Sequence, residues 1–295
     1  MVIRLFLRAG LVAVLLAANC PTTAASTTVF FDDFTAPRLD AAKWRLARTQ
    51  WEEDDDNGGV VPENVSVKDG LAILSGRGDR YSGPVRGVRR QDGTVTALDN
   101  GRRSGAALVT AGKYASGRYE VRMRLPRRLG ACSAVWTYHY GEKEGGGAVS
   151  HEVDIELPGR PADPHRDMGY MWALFNTWVG ELDGEYTVGY TRLPFPVNDG
   201  KFHDFRFDWH SGGPGIEPRV EWYLDGRPLR TITTTVPSMA GHLWVGIWFP
   251  DDWAGRPDFD TEILAVDWVR ITPFGEANDR IVAGAHDSGG ELVVP

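Results

Sequence analysis

The stretch GRYEVRMRLP, residues 117–126, decides the fold class. Tyr119, Val121, Met123 and Leu125 alternate with Glu120, Arg122 and Arg124, so a strand would carry the apolar set on one face and the charged set on the other. The same period returns in HDFRFDWH (203–210) through Phe205, Phe207 and Trp209, in VEWYLDGRPLR (220–230) through Val220, Trp222 and Leu224, and in ILAVDWVRI (263–271). Asp69-Gly70 and Asp225-Gly226 interrupt such runs where a tight hairpin turn is expected. No helical period is sustained anywhere in the chain. Short strands punctuated by 35 glycines and 18 prolines, without a βα rhythm, predict an all-β protein of two antiparallel sheets packed as a sandwich.

A chain of 295 residues without a Pro/Ser/Gly-rich linker reads as one domain, residues 26–275, with a polar tail over 276–295. A formal net charge of −8 lacks the positive field that holds nucleic acid or anionic lipid, so neutral partners are expected. Aromatic residues make up 11% of the chain, enough to build a core and leave rings for a flat ligand such as a sugar. Arg4 and Arg8, the apolar run Leu11–Ala18 and the small residues ending at Ala25 follow the order of a secretory signal peptide over 1–25. That run is too short to span a bilayer. The expectation is a secreted or periplasmic monomer without a membrane span. A lipoprotein acylated at Cys20 is the weaker alternative because Asn19 precedes it poorly. Cleavage after Ala25 leaves Cys132 alone, which then reads as a buried apolar filler.

The segment HEVDIELPG, residues 151–159, sets Glu152, Asp154 and Glu156 at period two against Val153, Ile155 and Leu157. Three carboxylates then share one face of a strand, where they repel. A solvated sheet face would be the ordinary reading, and a calcium site another, although calcium loops use turns and backbone carbonyls rather than a strand. The apolar partners make the opposite face a core face. Trp136, Tyr138 and Tyr140 form an aromatic row shortly before, and Trp172, Asn176 and Trp178 follow shortly after. Acids flanked by aromatic platforms suit a cleft that cleaves sugars.

With these residues on the page, the chain resembles glycoside hydrolase family 16, retaining β-glycanases on a jelly-roll (concanavalin-like) sandwich. The resemblance also runs through FFDDFTAPRLDAAKW (30–44), GGVVPENVSVKDGLAILSG (58–76), ASGRYEVRMRLPRRLGACSAVWTYH (115–139), GKFHDFRFDWH (200–210) and AVDWVRITPF (265–274). It implies Glu152 as nucleophile, Asp154 as the helper that positions and modulates it, and Glu156 as general acid/base. Retention needs two carboxyl groups about 5–5.5 Å apart. Residues four apart on a flat strand lie roughly 13 Å apart, so the strand should curve and the sheet should cup the substrate. A charged neighbour should then keep Glu156 an acid near neutral pH, the three titrating together.

The resemblance further implies substrate contacts by Trp136, Tyr138, Asn176, Trp178, Trp248 and Trp253. The pattern E-x-D-x-E without an inserted residue resembles the lichenase and xyloglucan endotransglycosylase branch, which implies a mixed-linkage or other β-glucan, or an exopolysaccharide with such linkages. Transglycosylation and non-catalytic carbohydrate binding stand as alternatives. In HLWVGIWFPDDWAG (242–255), His242 and Leu243 stand where the family has Asn, which leaves the alignment of Trp244 and Trp248 open. No cofactor is expected for catalysis. A structural calcium is implied at Asp267, joined by backbone carbonyls near Asp33 and Gly70, with a plain polar strand position as the alternative. Arg122 and Arg124 read as surface charges, and the acidic run Glu52–Asp56 as a solvated loop, with a place at the cleft's non-reducing end as the alternative.

Overall fold

The computed structural model describes residues 28–51, 58–84, 86–91, 94–98, 103–142, 148–159, 170–181, 185–250, 253–281 and 291–295. The expected signal segment, Cys20 and the run Glu52–Asp56 lie outside them. Among the described residues the structure is built from strands, with one 3-10 turn at Pro62–Asn64. One sheet holds β1 (Phe30–Asp32), β3 (Val65–Lys68), β4 (Leu71–Arg77), β8 (Gly117–Arg124), β15 (His203–His210), β16 (Arg219–Leu224), β17 (Arg227–Ile232) and β19 (Thr261–Pro273). The other holds β2 (Trp44–Arg48), β7 (Ala106–Thr110), β9 (Cys132–Glu142), β10 (Ala148–Pro158), β11 (Trp172–Leu174), β12 (Thr177–Glu181), β13 (Glu185–Thr187), β14 (Tyr190–Arg192), β18 (His242–Trp248) and β20 (Glu291–Val293). A separate hairpin joins β5 (Gly87–Gln91) to β6 (Thr94–Leu98).

All strand pairs within the sheets are antiparallel, in the orders β17-β16-β15-β8-β19-β4-β3 and β13-β12-β10-β9-β18-β7-β2-β20. The sandwich expected from alternation is therefore present. Tyr119, Val121 and Met123 of β8, Phe205, Phe207 and Trp209 of β15, and Val220, Trp222 and Leu224 of β16 meet Val153, Ile155 and Leu157 of β10 and Leu243, Val245 and Ile247 of β18 in one buried cluster. Each such side chain stabilises the fold by about 1.5–3 kcal/mol relative to exposure. The two Asp-Gly turns adopt positive φ at both residues, 54° and 72° at Asp69-Gly70 and 49° and 75° at Asp225-Gly226. That geometry matches the twist of the strands they join.

Past the boundary expected at residue 276, the described residues pack against the sandwich. Glu276 is buried and accepts from Gly212 N–H at 2.8 Å, Asp279 accepts from Ser116 Oγ at 2.8 Å and Ser211 Oγ at 2.6 Å, and Glu291–Val293 pairs with β2. The polar residues Glu276 and Asp279 thus supply hydrogen bonds to neighbouring loops.

On the core side of β10, His151 lies against His139 with ring centroids 6.2 Å apart and accepts from Ser238 N–H at 3.2 Å. Burial first, then the neighbouring His139 and Arg280, hold His151 down at about 4. The unfolded chain binds this proton more tightly, so stability is fully present above pH 6.5 and falls as pH drops toward 4, by on the order of 3 kcal/mol. Urea unfolding at pH 7 and pH 4.5 should show this loss, and His151→Gln should remove most of it; an identical pH response in the two proteins would refute the assignment.

Candidate active site

Strand β10 carries the acids, and its register with β9 is unbroken, residue for residue, from Ala148↔Glu142 to Pro158↔Cys132. The E-x-D-x-E motif is thus unbulged in space as well as in sequence. Glu152 stands opposite Tyr138, Asp154 opposite Trp136 and Glu156 opposite Ala134. On the other side the neighbour is not one strand but two: Glu156 pairs with Leu174 of β11, whereas Glu152 pairs with Trp178 of β12. The break falls at Phe175 and Asn176, beside the middle acid. An interrupted neighbour frees β10 to depart from a flat ladder at the point where the carboxyl groups need to converge.

Backbone groups at the break find other partners, as buried amides must. Asp154 N–H donates to Asn176 O at 3.0 Å. Asp154 O accepts from the indole N–H of Trp222 at 2.9 Å, a bond that crosses the core from the opposite sheet. Trp222 stacks in turn on Phe175, 5.5 Å between centroids at 15°. The side chains are held as well: Trp178 Nε1–H donates to Asp154 Oδ2 at 2.9 Å, and Asn176 Nδ2–H donates to Glu156 Oε2 at 2.9 Å.

Asp154 is 3% exposed, and its neighbours Glu152 and Glu156 are half-buried. Burial raises the Glu152 carboxyl to about 8, opposed by its bond to Asp154 and reinforced by the charge of Glu156. Burial, followed by the charge of Glu152, raises Asp154 well above the usual carboxylate range. The bond between them acts in opposite directions, lowering Glu152 and raising Asp154, so when the pair holds a single proton that proton rests on Asp154 and the negative charge on Glu152. As two bare carboxylates they have no donor, and Asp154 Oδ1 accordingly stands buried without a partner. One proton on Asp154 supplies the missing bond.

The three acids share one solvent-open cavity of about 240 Å³ with Trp51, Ala134, Trp136, Tyr138, Trp178 and Trp248. Its floor is a second apolar cluster on the outer face of the ten-stranded sheet, separate from the core. Trp136 stacks on the buried Trp244 at 5.4 Å, and Trp51 meets Trp136 and Trp248 edge-on at 5.6 and 5.5 Å. Trp248 therefore lines the cavity and Trp244 lies beneath it. Trp253 stands against Trp248 at 5.6 Å, outside the cavity wall. Asn176 is 3% exposed, its amide engaged by Glu156 and by Gly189 N–H at 3.3 Å, so it holds the acid rather than facing the cleft. Trp51 is the residue that sequence reasoning missed; its signal was a tryptophan directly before the acidic run. Cys132 is buried in the floor cluster.

The residues expected around a calcium lie on adjoining strands. Asp32 pairs with Val269 and Ala72 with Val266, which brings Asp33 and Gly70 alongside Asp267 at the bulge of β19. Asp267 Oδ2 accepts from Arg122 Nε at 3.1 Å, and Asp33 Oδ1 accepts from the Thr35 hydroxyl at 2.8 Å. Arg122 thus holds one oxygen of Asp267, while the ligands implied near Asp33 and Gly70 are backbone carbonyls rather than side chains. Among the described residues no group of three or more His, Cys, Asp or Glu gathers as a metal site, and no helix is long and apolar enough to cross a membrane.

Residues 81–270 match the family described as "Glycosyl hydrolases family 16". A beta-glucanase of Paenibacillus macerans is 29% identical over 163 residues, 54% of this chain and 60% of its own length. A beta-glucanase of Acetivibrio thermocellus is 26% identical over 248 residues, 79% of this chain and 61% of its own length. The chain thus spans about three fifths of these relatives. A lichenase structure from a mouse hindgut metagenome superposes with a TM-score of 0.60 at 23% identity, over 84% of this chain and all of that one, which speaks for the fold.

Replacing Trp222 by Phe keeps the stacked ring and orphans the Asp154 carbonyl. Stability should fall by about 1–3 kcal/mol, read as a lower urea midpoint at unchanged slope. An unchanged midpoint would show that the cross-core bond contributes nothing.

Proposed function

The chain belongs to the glycosyl hydrolases of family 16, and on that premise we propose that it is a secreted, monomeric, retaining endo-β-glycanase acting on a β-glucan-type polysaccharide by double displacement. The observation that carries the reading is the meeting of Glu152, Asp154 and Glu156 on one face of β10, in one cavity with aromatic rings. In the first step Glu152 attacks the anomeric carbon while the bond to the leaving oxygen breaks and Glu156 gives that oxygen its proton. In the second step Glu156 takes a proton from water, whose oxygen displaces Glu152 from the sugar. Asp154 keeps its proton and donates to Glu152, leaving the attacking oxygens charged and oriented. Asn176 fixes the rotamer of Glu156 through the bond to Oε2.

Trp51, Trp136 and Trp248 offer apolar faces against which pyranose rings stack, and Tyr138 adds a hydroxyl. No step passes through a metal or cofactor. A calcium at Asp267 would be structural, on the sheet opposite the cleft. The unbulged motif favours mixed-linkage β-glucan or a related exopolysaccharide, and a sugar hydroxyl in place of water would make the same residues a transglycosylase.

Glu152→Gln and Glu156→Gln should each abolish turnover on a panel of barley β-glucan, laminarin, xyloglucan and bacterial exopolysaccharides, followed by mass spectrometry of the products. Thermal midpoints should stay level or rise, because each change removes a charge from a repelling row. Wild-type turnover in either variant would overturn the residue roles. Products lengthened by an acceptor would identify transglycosylation.

A further inference from the structure

We propose that Trp178 is a positioning residue: its indole N–H keeps the buried Glu152/Asp154 pair in its singly protonated, anionic state and restricts the shared proton to Asp154 Oδ1. The inference rests on the reading of that pair as nucleophile and helper, and gives Trp178 a task distinct from contacting substrate. Three observations carry it. The N–H donates to Oδ2 at 2.9 Å, so a proton on that oxygen would face another proton. Oδ1 is buried and unpartnered, the one oxygen of Asp154 still able to carry hydrogen. The ring itself is held in place, since Trp178 pairs with Tyr186 across β12 and β13 and stacks on it at 4.6 Å and 28°.

The surroundings leave little else for the task. Glu156 on the same strand adds negative charge, and among the described residues the register also sets Tyr138 of β9, Tyr186 of β13, His242 of β18 and, beyond Leu174, Tyr190 and Arg192 of β14 on this face. His151 and His139 stand at odd positions of β10 and β9, on the core face. Among the described residues no Lys or Arg figures among the groups that shift either member of the pair. The Asn176 amide donates to Glu156 Oε2 at 2.9 Å and also stabilises the Asp154 anion, by less than Trp178 does. A buried pair without a cation drifts toward full protonation, which would silence the nucleophile. A donor aimed at Oδ2 stabilises the anion and opposes that drift.

The test is Trp178→Phe in the full chain, which keeps a ring for Tyr186 and removes the N–H. Side-chain carboxyl carbons, labelled with carbon-13 and identified with Glu152→Gln, should titrate in the pair about one pH unit higher than in wild type. The ascending limb of kcat/KM on β-glucan should move equally, a tenfold loss one unit below the wild-type midpoint, with smaller change on the alkaline side. If Phe unfolds the strand, 3-benzothienylalanine at 178 replaces N–H by sulfur with the ring retained, and the same shift is expected. Unshifted carboxyl titration would overturn the proposal even if activity fell, since a platform lost to substrate lowers rate at every pH. A wild-type protein that cleaves no glycan would defeat the proposed function, while the titration would still decide the role of Trp178.

Discussion

A nearly buried carboxyl at Asp154 sets the terms for the rest of the site. Its backbone N–H is bound to Asn176, its carbonyl to Trp222 from the opposite sheet, and its Oδ2 to Trp178. Withdrawing a carboxyl from water costs several kcal/mol unless donors or a proton replace the solvent, and here both do. The interruption between β11 and β12 follows from the same place: a continuous neighbour would satisfy the Asp154 carbonyl by itself and leave Trp222 without that acceptor. The core and the cavity are in this sense one construction, since the residue that stands between Glu152 and Glu156 is also bonded across the sandwich.

The outer face of the ten-stranded sheet shows the other departure from ordinary packing. Sheets usually bury one face and wet the other, yet Trp136, Trp244, Trp248 and Trp51 form an apolar cluster on the outer side. A patch of this kind marks a binding surface rather than a structural need. Trp51, Trp136 and Trp248 line the same cavity as the three acids. On the other sheet the outer face carries charge instead, with Arg122 spanning Asp204 at 2.7 Å and Asp267 at 3.1 Å.

Much of this was legible in the sequence because strands write their faces at period two. The alternation of Tyr119, Val121 and Met123 against Glu120 and Arg122 predicted β8 residue by residue, and the Asp-Gly pairs predicted both hairpin turns. The acid row and its aromatic neighbours were readable for the same reason. What was not readable depends on contacts between distant segments. Nothing local tells that Trp222, a core residue by its spacing, donates to the carbonyl of Asp154, or that the amide of Asn176 turns to Glu156. Trp51 follows β2 without a periodic partner, and Glu291–Val293 is too short to announce that it joins a sheet.

The central claim is that Glu152 becomes covalently attached to the sugar while Asp154 and Glu156 do not. Incubation with a 2-deoxy-2-fluoro β-glucan oligosaccharide carrying a good leaving group slows the second step and lets the intermediate accumulate. Peptide mass spectrometry of the digested protein then locates the adduct. The account predicts one sugar on the peptide containing HEVDIELPG, with fragmentation placing it on Glu152. An adduct on Glu156, or turnover with inverted anomeric configuration and no adduct, would contradict it.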